Sequence, residues 1–303
     1  MIQIENLKKS FGDYHTLKGL NLSVNKGEIY GFLGKNGAGK STTMNIISGL
    51  SKLDSGTCII NNKDVTKIKH PKELQIGYLP ENPNFQPWLT AYETLELLVV
   101  NHTMKNKREH IQNLLEWVGL KSDANRRVGG FSRGMKQRLG IACALINDPE
   151  LLILDEPSSA LDPEGRADVL SLIMDLKTKG KTVILSTHIL SDVERVCDKI
   201  GLLNEGKIVI EKELNELLNN QLDTIIDVEY DGELSKSVIE NFKNIEHVQD
   251  ITISKTTIAI AIDSKQHIKQ TMNMILKNDL SIISMTLRKT TLEDLFIKEV
   301  NNK

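Results

Sequence analysis

Apolar and polar positions alternate through "IQIENL" and "LNLSV" near the N-terminus, the period-two pattern of strands with one solvated face. "EIYGFLG" is different: a short, mostly apolar run, which predicts a buried strand. "GKNGAGKSTTMNIISGL" then reads as a loop opening into a helix, and "GTCIINN" and "IGYLPEN" as two edge-like segments. Over residues 91–118 the spacing changes to three and four, in "YETLELLVV" and "HIQNLLEWVGL", and predicts helix. "QRLGIACALIND" predicts another helix, ended by Asp148 and Pro149.

"LLILDEP" and "KTVILSTH" are apolar on both faces, as strands of a parallel sheet are. The helical segment "DVLSLIMDLKTKG", with its glycine stop, lies between them. Strand–helix–strand alternation of this kind predicts an α/β domain. From about residue 223 the order becomes β-α-β-β-α-β, through "DTIIDVEY", "LSKSVIENFKN", "VQDITIS", "TTIAIAID", "KQHIKQTMNMILKN" and "SIISMTLR". That order is the ferredoxin-like plan. A last helix is expected in "TLEDLFIKEV". The Asn/Gln-rich "LLNNQLD" marks the boundary, so the expected domains are 2–222 and 223–303. A chain of 303 residues suits two domains better than one.

Composition narrows the class without naming a function. Hydrophobic content of 40% and charged content of 26% fit ordinary soluble cores. A formal net charge of -2 provides no basic field for a nucleic acid, so no nucleic-acid partner is expected. Cys58, Cys143 and Cys197 are widely spaced, without a CxxC or Cys/His metal pattern, and read as reduced thiols filling a core. The N-terminal alternation leaves no apolar h-region for a signal peptide. No run approaches the ~20 apolar residues of a membrane span.

The chemistry begins at Gly34-Lys35-Asn36-Gly37-Ala38-Gly39-Lys40-Ser41, which fits G-x-x-x-x-G-K-[ST] between a predicted strand and a predicted helix. Gly34, Gly37 and Gly39 let the backbone curl so that its N–H groups face an anion. The helix N-terminus adds partial positive charge. Lys40 is expected to reach the β- and γ-phosphates of a nucleotide, Ser41 to ligate Mg²⁺, and Thr42 to add a hydroxyl near the phosphates. Asp155 and Glu156 follow a buried strand, at the sheet edge where ligands of open α/β sheets bind. Asp155 is placed to hold Mg²⁺, directly or through water. Glu156 is the better candidate to polarise an attacking water. His188 ends the next strand, within reach of either the γ-phosphate or Glu156.

Taken together these residues resemble the nucleotide-binding subunit of ABC transporters. The phosphate loop, "FSRGM", "LLILDEP", "SALD" and "STH" stand in that family's order over about residues 2–220. The resemblance implies a P-loop NTPase domain of the ABC type, an α/β fold, followed here by a small ferredoxin-like α+β domain. It implies ATP and Mg²⁺ as cofactors, hydrolysis with Glu156 and His188 as catalytic residues, and a head-to-tail dimer. In that dimer each ATP lies between one chain's phosphate loop and the other chain's signature segment, here Phe131-Ser132-Arg133-Gly134-Met135.

Ser132 and the Gly134 N–H would then face the partner's γ-phosphate, with Met135 in the same segment. Phe11 resembles the aromatic that stacks on adenine, with Tyr14 the second choice. Ser159–Asp162 resemble the loop through which each site senses the other. Two departures stand out. Glu81 occupies the place of the family's glutamine; it can ligate Mg²⁺ but lacks the amide donor, and Gln86 is out of register. Arg133 and Met135 replace the usual Gly and Gln; Arg133 either adds a cation near the partner's phosphate or faces solvent.

The tail "TTLEDLFIKEV" is similar to that of bacterial exporter ATPases whose permease is a separate polypeptide. That branch implies a transmembrane permease partner, a location on the cytoplasmic side of the cell membrane, and a second ATPase subunit, a homodimer being favoured over a heterodimer. Phe85 and Trp88, between prolines, suit the surface that meets the permease. The alternative is a soluble family member acting on ribosomes or chromosomes. A single ATPase domain, the absence of sustained heptads between Lys40 and Ser132, and the near-neutral charge all argue against it.

Overall fold

The computed structural model describes residues 1–99, 106–220, 225–232, 234–278, 280–288 and 292. Two compact units divide the chain, Met1–Leu214 and Asn215–Lys303. The expected boundary segment 218–223 falls partly outside the described residues. So does the expected last helix, except for Leu292.

The first unit runs β1 (Ile2–Phe11), β2 (Tyr14–Val24), β3 (Ile29–Gly34), α1 (Lys40–Ile47), β4 (Ser55–Ile60), β5 (Lys63–Asp64) and β6 (Ile76–Leu79). It continues with α2 (Ala91–Leu98), α3 (Lys107–Trp117), α4 (Arg133–Leu145), β7 (Leu151–Asp155), α5 (Pro163–Thr178), β8 (Thr182–Thr187), α6 (Leu190–Val196), β9 (Lys199–Asn204) and β10 (Lys207–Glu213). A short helix, α7 (Leu214–Asn220), follows.

Two sheets form. The alternating N-terminal strands build an antiparallel sheet in the order β2-β1-β4-β5. The uniformly apolar strands build a second sheet, β10-β9-β3-β8-β7-β6, parallel except for the β10 hairpin on β9. Every residue of β3, β7 and β8 is buried, as a sheet covered on both faces requires. "GTCIINN" proves not to be an edge: β4 pairs with β1 on one side and with the two-residue β5 on the other. "IGYLPEN" does supply the outermost strand of the parallel sheet. One apolar cluster joins Ile2, Ile4, Leu20 and Leu22 of the first sheet to Tyr30, Phe32, Ile153 and Ile184 of the second. Met44, Ile46 and Ile47 of α1 belong to it and are fully buried. Each such side chain contributes about 1.5–3 kcal/mol by leaving water, so α1 is held firmly at the end of β3.

Local chemistry sets the helix ends. Thr90 and Glu93 form a capping box at α2, with Glu93 N–H donating to the Thr90 hydroxyl (3.1 Å) and Thr90 N–H to Glu93 (2.8 Å). Asp162 caps α5 by accepting from Gly165 N–H at 3.1 Å, with Pro163 opening the first turn. Among the described residues no helix is long and apolar enough to cross a membrane.

The second unit runs β11 (Ile225–Asp231), α8 (Lys236–Lys243), β12 (Val248–Ile253), β13 (Thr257–Ile262), α9 (Ile268–Ile275) and β14 (Ser281–Leu287). Its strands pair antiparallel in the order β12-β13-β11-β14. Alternate residues face its core: Ile226, Val228 and Tyr230 on β11, and Ile258, Ile260 and Ile262 on β13. Val238 and Phe242 of α8 and Ile275 of α9 pack against them.

Candidate functional site

The site grows from the end of β3. Gly37 (φ 81°) and Gly39 (φ 111°) adopt the left-handed backbone that turns the loop into α1. Gly34 is a glycine for another reason: a Cβ there would lie 2.8 Å from the Leu203 carbonyl oxygen of β9. The turn brings Lys40 inward. Its side chain is 6% exposed, and Nζ donates to the Gly34 carbonyl at 2.8 Å while pairing with Glu156 Oε1 at 3.4 Å. A buried ammonium needs partners of this kind, because its desolvation is otherwise uncompensated.

Asp155 and Glu156 come from the end of β7 and are 4% and 7% exposed. Glu156 has φ 49°, a left-handed conformation that a non-glycine residue adopts only when its surroundings over-determine it. Its N–H is held by the carbonyl oxygen of Ser186 (3.1 Å) and by the Ser186 hydroxyl (3.0 Å). The same hydroxyl donates to Asp155. Three donors therefore converge on the Glu156 carboxylate: Lys40 on Oε1, and the Ser159 hydroxyl and His188 Nδ1 on Oε2, the last at 2.9 Å. A carboxylate only accepts, so Nδ1 carries the hydrogen and Nε2 the lone pair in the neutral ring. Burial pushes the Asp155 carboxyl above its ordinary pKa, and hydrogen bonds from Ser186 and Ser41 and the Lys40 charge partly offset this.

These groups lie at a cavity of about 650 Å³. Of the expected residues, Phe11, Asn36, Gly37, Gly39, Lys40, Ser41, Thr42, Glu81, Glu156 and His188 line it. Phe11 is 57% exposed; Tyr14, at 66%, is not part of the lining. Gly34, Lys35, Ala38 and Asp155 lie off the cavity surface. Ser132, Gly134 and Met135 do not line it either. Ser132 instead caps α4, accepting from Met135 N–H at 3.2 Å, and a Cβ on Gly134 would meet nothing within 4 Å. Arg133 is exposed and does line the chain's own cavity. Thr16, Ser159 and Ala160 complete its wall.

Ser186 is the functional neighbour that motif spacing left out. It is buried inside β8, two positions before His188, which directly follows the strand. A larger cavity, about 1070 Å³, opens among Met1, Asn61, Lys72 and Glu150. No buried charge and no phosphate-loop residue lines it, so volume alone does not locate the chemistry.

Comparison with known proteins agrees with this geometry. The family described as ABC transporter matches residues 17–159. The chain is 34% identical to the linearmycin resistance ATP-binding protein LnrL of Bacillus subtilis, over 98% of this chain and 97% of that protein. It is 36% identical to the bacitracin transport ATP-binding protein BcrA of Enterococcus faecalis, over 98% and 96% respectively. Among solved structures it is similar to a dimeric ATP-binding cassette in a post-hydrolysis state bound to ADP and Pi. The TM-score is 0.64 and the identity 30%, with 71% of this chain and 99% of that one covered.

Proposed function

This chain belongs to the ATP-binding proteins of ABC transporters, and from that premise we propose that it drives export through a separate membrane permease, as one half of a head-to-tail ATPase dimer. It is an ATP hydrolase of the ABC type. The observation that carries the reading of its site is the buried Lys40, suspended between a phosphate-loop carbonyl and Glu156 on the cavity wall.

Lys40 and Glu156 pair with each other at 3.4 Å. Lys40 moves toward the β- and γ-phosphates when ATP enters, and Glu156 Oε1 is released to accept a proton from water. His188, bonded to Oε2, holds the carboxylate in place and presents Nε2. Phe11, at the exposed rim, stacks on adenine. The donor set suits Mg²⁺: the Ser41 hydroxyl acts on the Asp155 carboxyl, and Glu81 adds an oxygen at the cavity wall. Ser41, Asp155 and Glu81 would hold the ion, which supplies neutralising charge for the phosphates.

The cavity lacks Ser132 and Gly134, whose N-terminal turn on α4 is available to an anion, and this supports completion by a second copy's signature segment. The chain then works at the cytoplasmic face of the membrane, with cargo chosen by the permease. The names of two full-length relatives, linearmycin resistance and bacitracin transport, support an antimicrobial cargo.

The test is purification of the tagged chain from detergent-solubilised native membranes with ATP, followed by mass spectrometry. A multispanning chain without its own phosphate loop is the expected companion. Recovery only with ribosomal proteins would overturn the reading.

A further inference from the structure

The second unit carries a cluster that the nucleotide chemistry does not use. His247 lies in the turn before β12, Asp263 directly follows β13, and His267 is the last residue before α9. We propose that His247, Asp263 and His267 form a site for a divalent transition-metal ion of the zinc type.

Backbone pairing brings the three together. Val248 and Ile262 are paired in the β12–β13 ladder, and Asp263 N–H donates to the His247 carbonyl at 3.0 Å. These two side chains therefore share one end of the hairpin. His267 follows Asp263 by one helical turn, in a segment begun by Ser264, whose hydroxyl accepts from Gln266 N–H at 3.3 Å. The two oxygens of one carboxylate face the two rings: Oδ1 lies 2.6 Å from His267 Nδ1, and Oδ2 lies 3.5 Å from His247 Nδ1. The rings stack on each other with centroids 3.5 Å apart and planes 11° apart.

Each residue offers one ligand atom, and all three atoms lie within 4.8 Å of one another. Ligands of a tetrahedral ion bound at 2.0–2.1 Å are about 3.4 Å apart, a spacing these atoms can reach. Imidazole lone pairs lie in the ring planes, so binding requires the two stacked rings to turn out of parallel until they converge on one ion. Two imidazoles and one carboxylate are a donor set that borderline divalent ions accept and that Mg²⁺ and Ca²⁺ do not favour.

Charge supports the assignment. Two stacked imidazolium rings repel, while one cation between two neutral rings and an anion satisfies all three groups. The side chains are 17% (His247), 29% (His267) and 37% (Asp263) exposed, which leaves a coordination position open to water. Such a site exchanges its ion with solvent, unlike a closed four-ligand structural site. Bound there, the ion would tie the start of β12, the end of β13 and the entrance to α9 to one another.

The experiment uses the full chain, stripped with a chelator and free of nucleotide. Co²⁺ is followed by its visible absorption, and Zn²⁺ by competition with a chromophoric chelator. The expected result is one equivalent per chain, with Co²⁺ absorption of a nitrogen-ligated, low-coordinate ion. His247→Asn and His267→Asn should each weaken binding at least about tenfold with unchanged circular dichroism. His188→Asn should leave the equivalent intact, placing the ion away from the nucleotide cleft. Absence of such an equivalent in the wild-type chain would overturn the proposal whatever the variants do. So would its retention in both second-unit variants, or its loss in His188→Asn alone.

Discussion

In residues 1–214 the chain buries Glu28, Lys40, Asp155, Glu156 and Asp192, each at most 8% exposed, whereas among the described residues of 215–303 no Asp, Glu, Lys or Arg is buried. Both units have apolar cores fed by strands, so the difference is not one of hydrophobic content. Ionised groups are expensive to desolvate, and a fold keeps them inside only where partners compensate. In the first unit the compensation is visible: Lys40 against Glu156, Ser186 on Asp155, and Arg166 and Ser158 on Asp192. Three of those five charges, Lys40, Asp155 and Glu156, stand at the phosphate loop or at the end of β7. The second unit keeps its charge outside, as in the exposed ion pair of Arg288 with Asp227 and in the half-exposed histidine cluster. Buried charge is thus the better guide to where this molecule does chemistry, and cavity volume the poorer one.

Substitutions break or sharpen the contrast. Lys40→Ala removes the buried cation, and ATP turnover (kcat/KM) should fall by at least about 10²–10³-fold, the scale of losing one preorganised charge donor. A filter-binding assay should show nucleotide affinity lost with it. Phe242→Ala acts on the other unit. It empties a fully buried site in α8 and should destabilise 215–303 by about 3–5 kcal/mol in urea unfolding. The ATPase rate should change by less than about twofold if hydrolysis belongs to the buried charges of the first unit. A loss comparable to that of Lys40→Ala would break the comparison.

Gly134→Ala is smaller still. Its new Cβ meets nothing within 4 Å, so the melting temperature should hold or rise slightly. In the proposed dimer the methyl group would crowd the phosphate of a second copy, and turnover should then drop by about tenfold.

Asp155→Asn has the smallest expected effect on the fold, and its sign is informative. Burial raises the Asp155 pKa, so ionisation is disfavoured in the folded state. The resulting cost to stability is fully present above the raised pKa and disappears as pH falls through it toward the ordinary carboxylate range. At neutral pH the nucleotide-free variant should therefore melt above wild type, and the gap should close in acid. A differential scanning calorimetry series over pH measures this; a variant that melts lower at neutral pH would remove the electrostatic account.

The legibility of the sequence followed the same divide. The phosphate loop could be read residue by residue because backbone geometry demands each glycine, although Gly34 serves strand packing and not the turn. The buried strands β3, β7 and β8 showed as apolar runs. β9 and β10 went unread: their hairpin turns at Glu205-Gly206, where Glu205 takes φ 46°, and glutamate is not among the residues that announce such a turn. The β-α-β-β-α-β order of 225–288 followed from alternation, since each strand there has one polar face. Ser186 escaped because a serine in an apolar strand carries no motif. The His247–Asp263–His267 cluster escaped because His247 meets the other two only through the β12–β13 register. Arg133 lies at the chain's own cavity, a position that loop spacing does not specify.

The central claim is that Glu156 activates water in a site completed by a second copy of the chain. Glu156→Gln tests it most directly, with light scattering and bound-nucleotide analysis of the purified variant in ATP and in ADP. The account predicts a stable dimer retaining one ATP per chain in the first case, a monomer in the second, and turnover reduced by about 10²–10⁴-fold. A variant that hydrolyses ATP at the wild-type rate, or that stays monomeric with ATP bound, would contradict it.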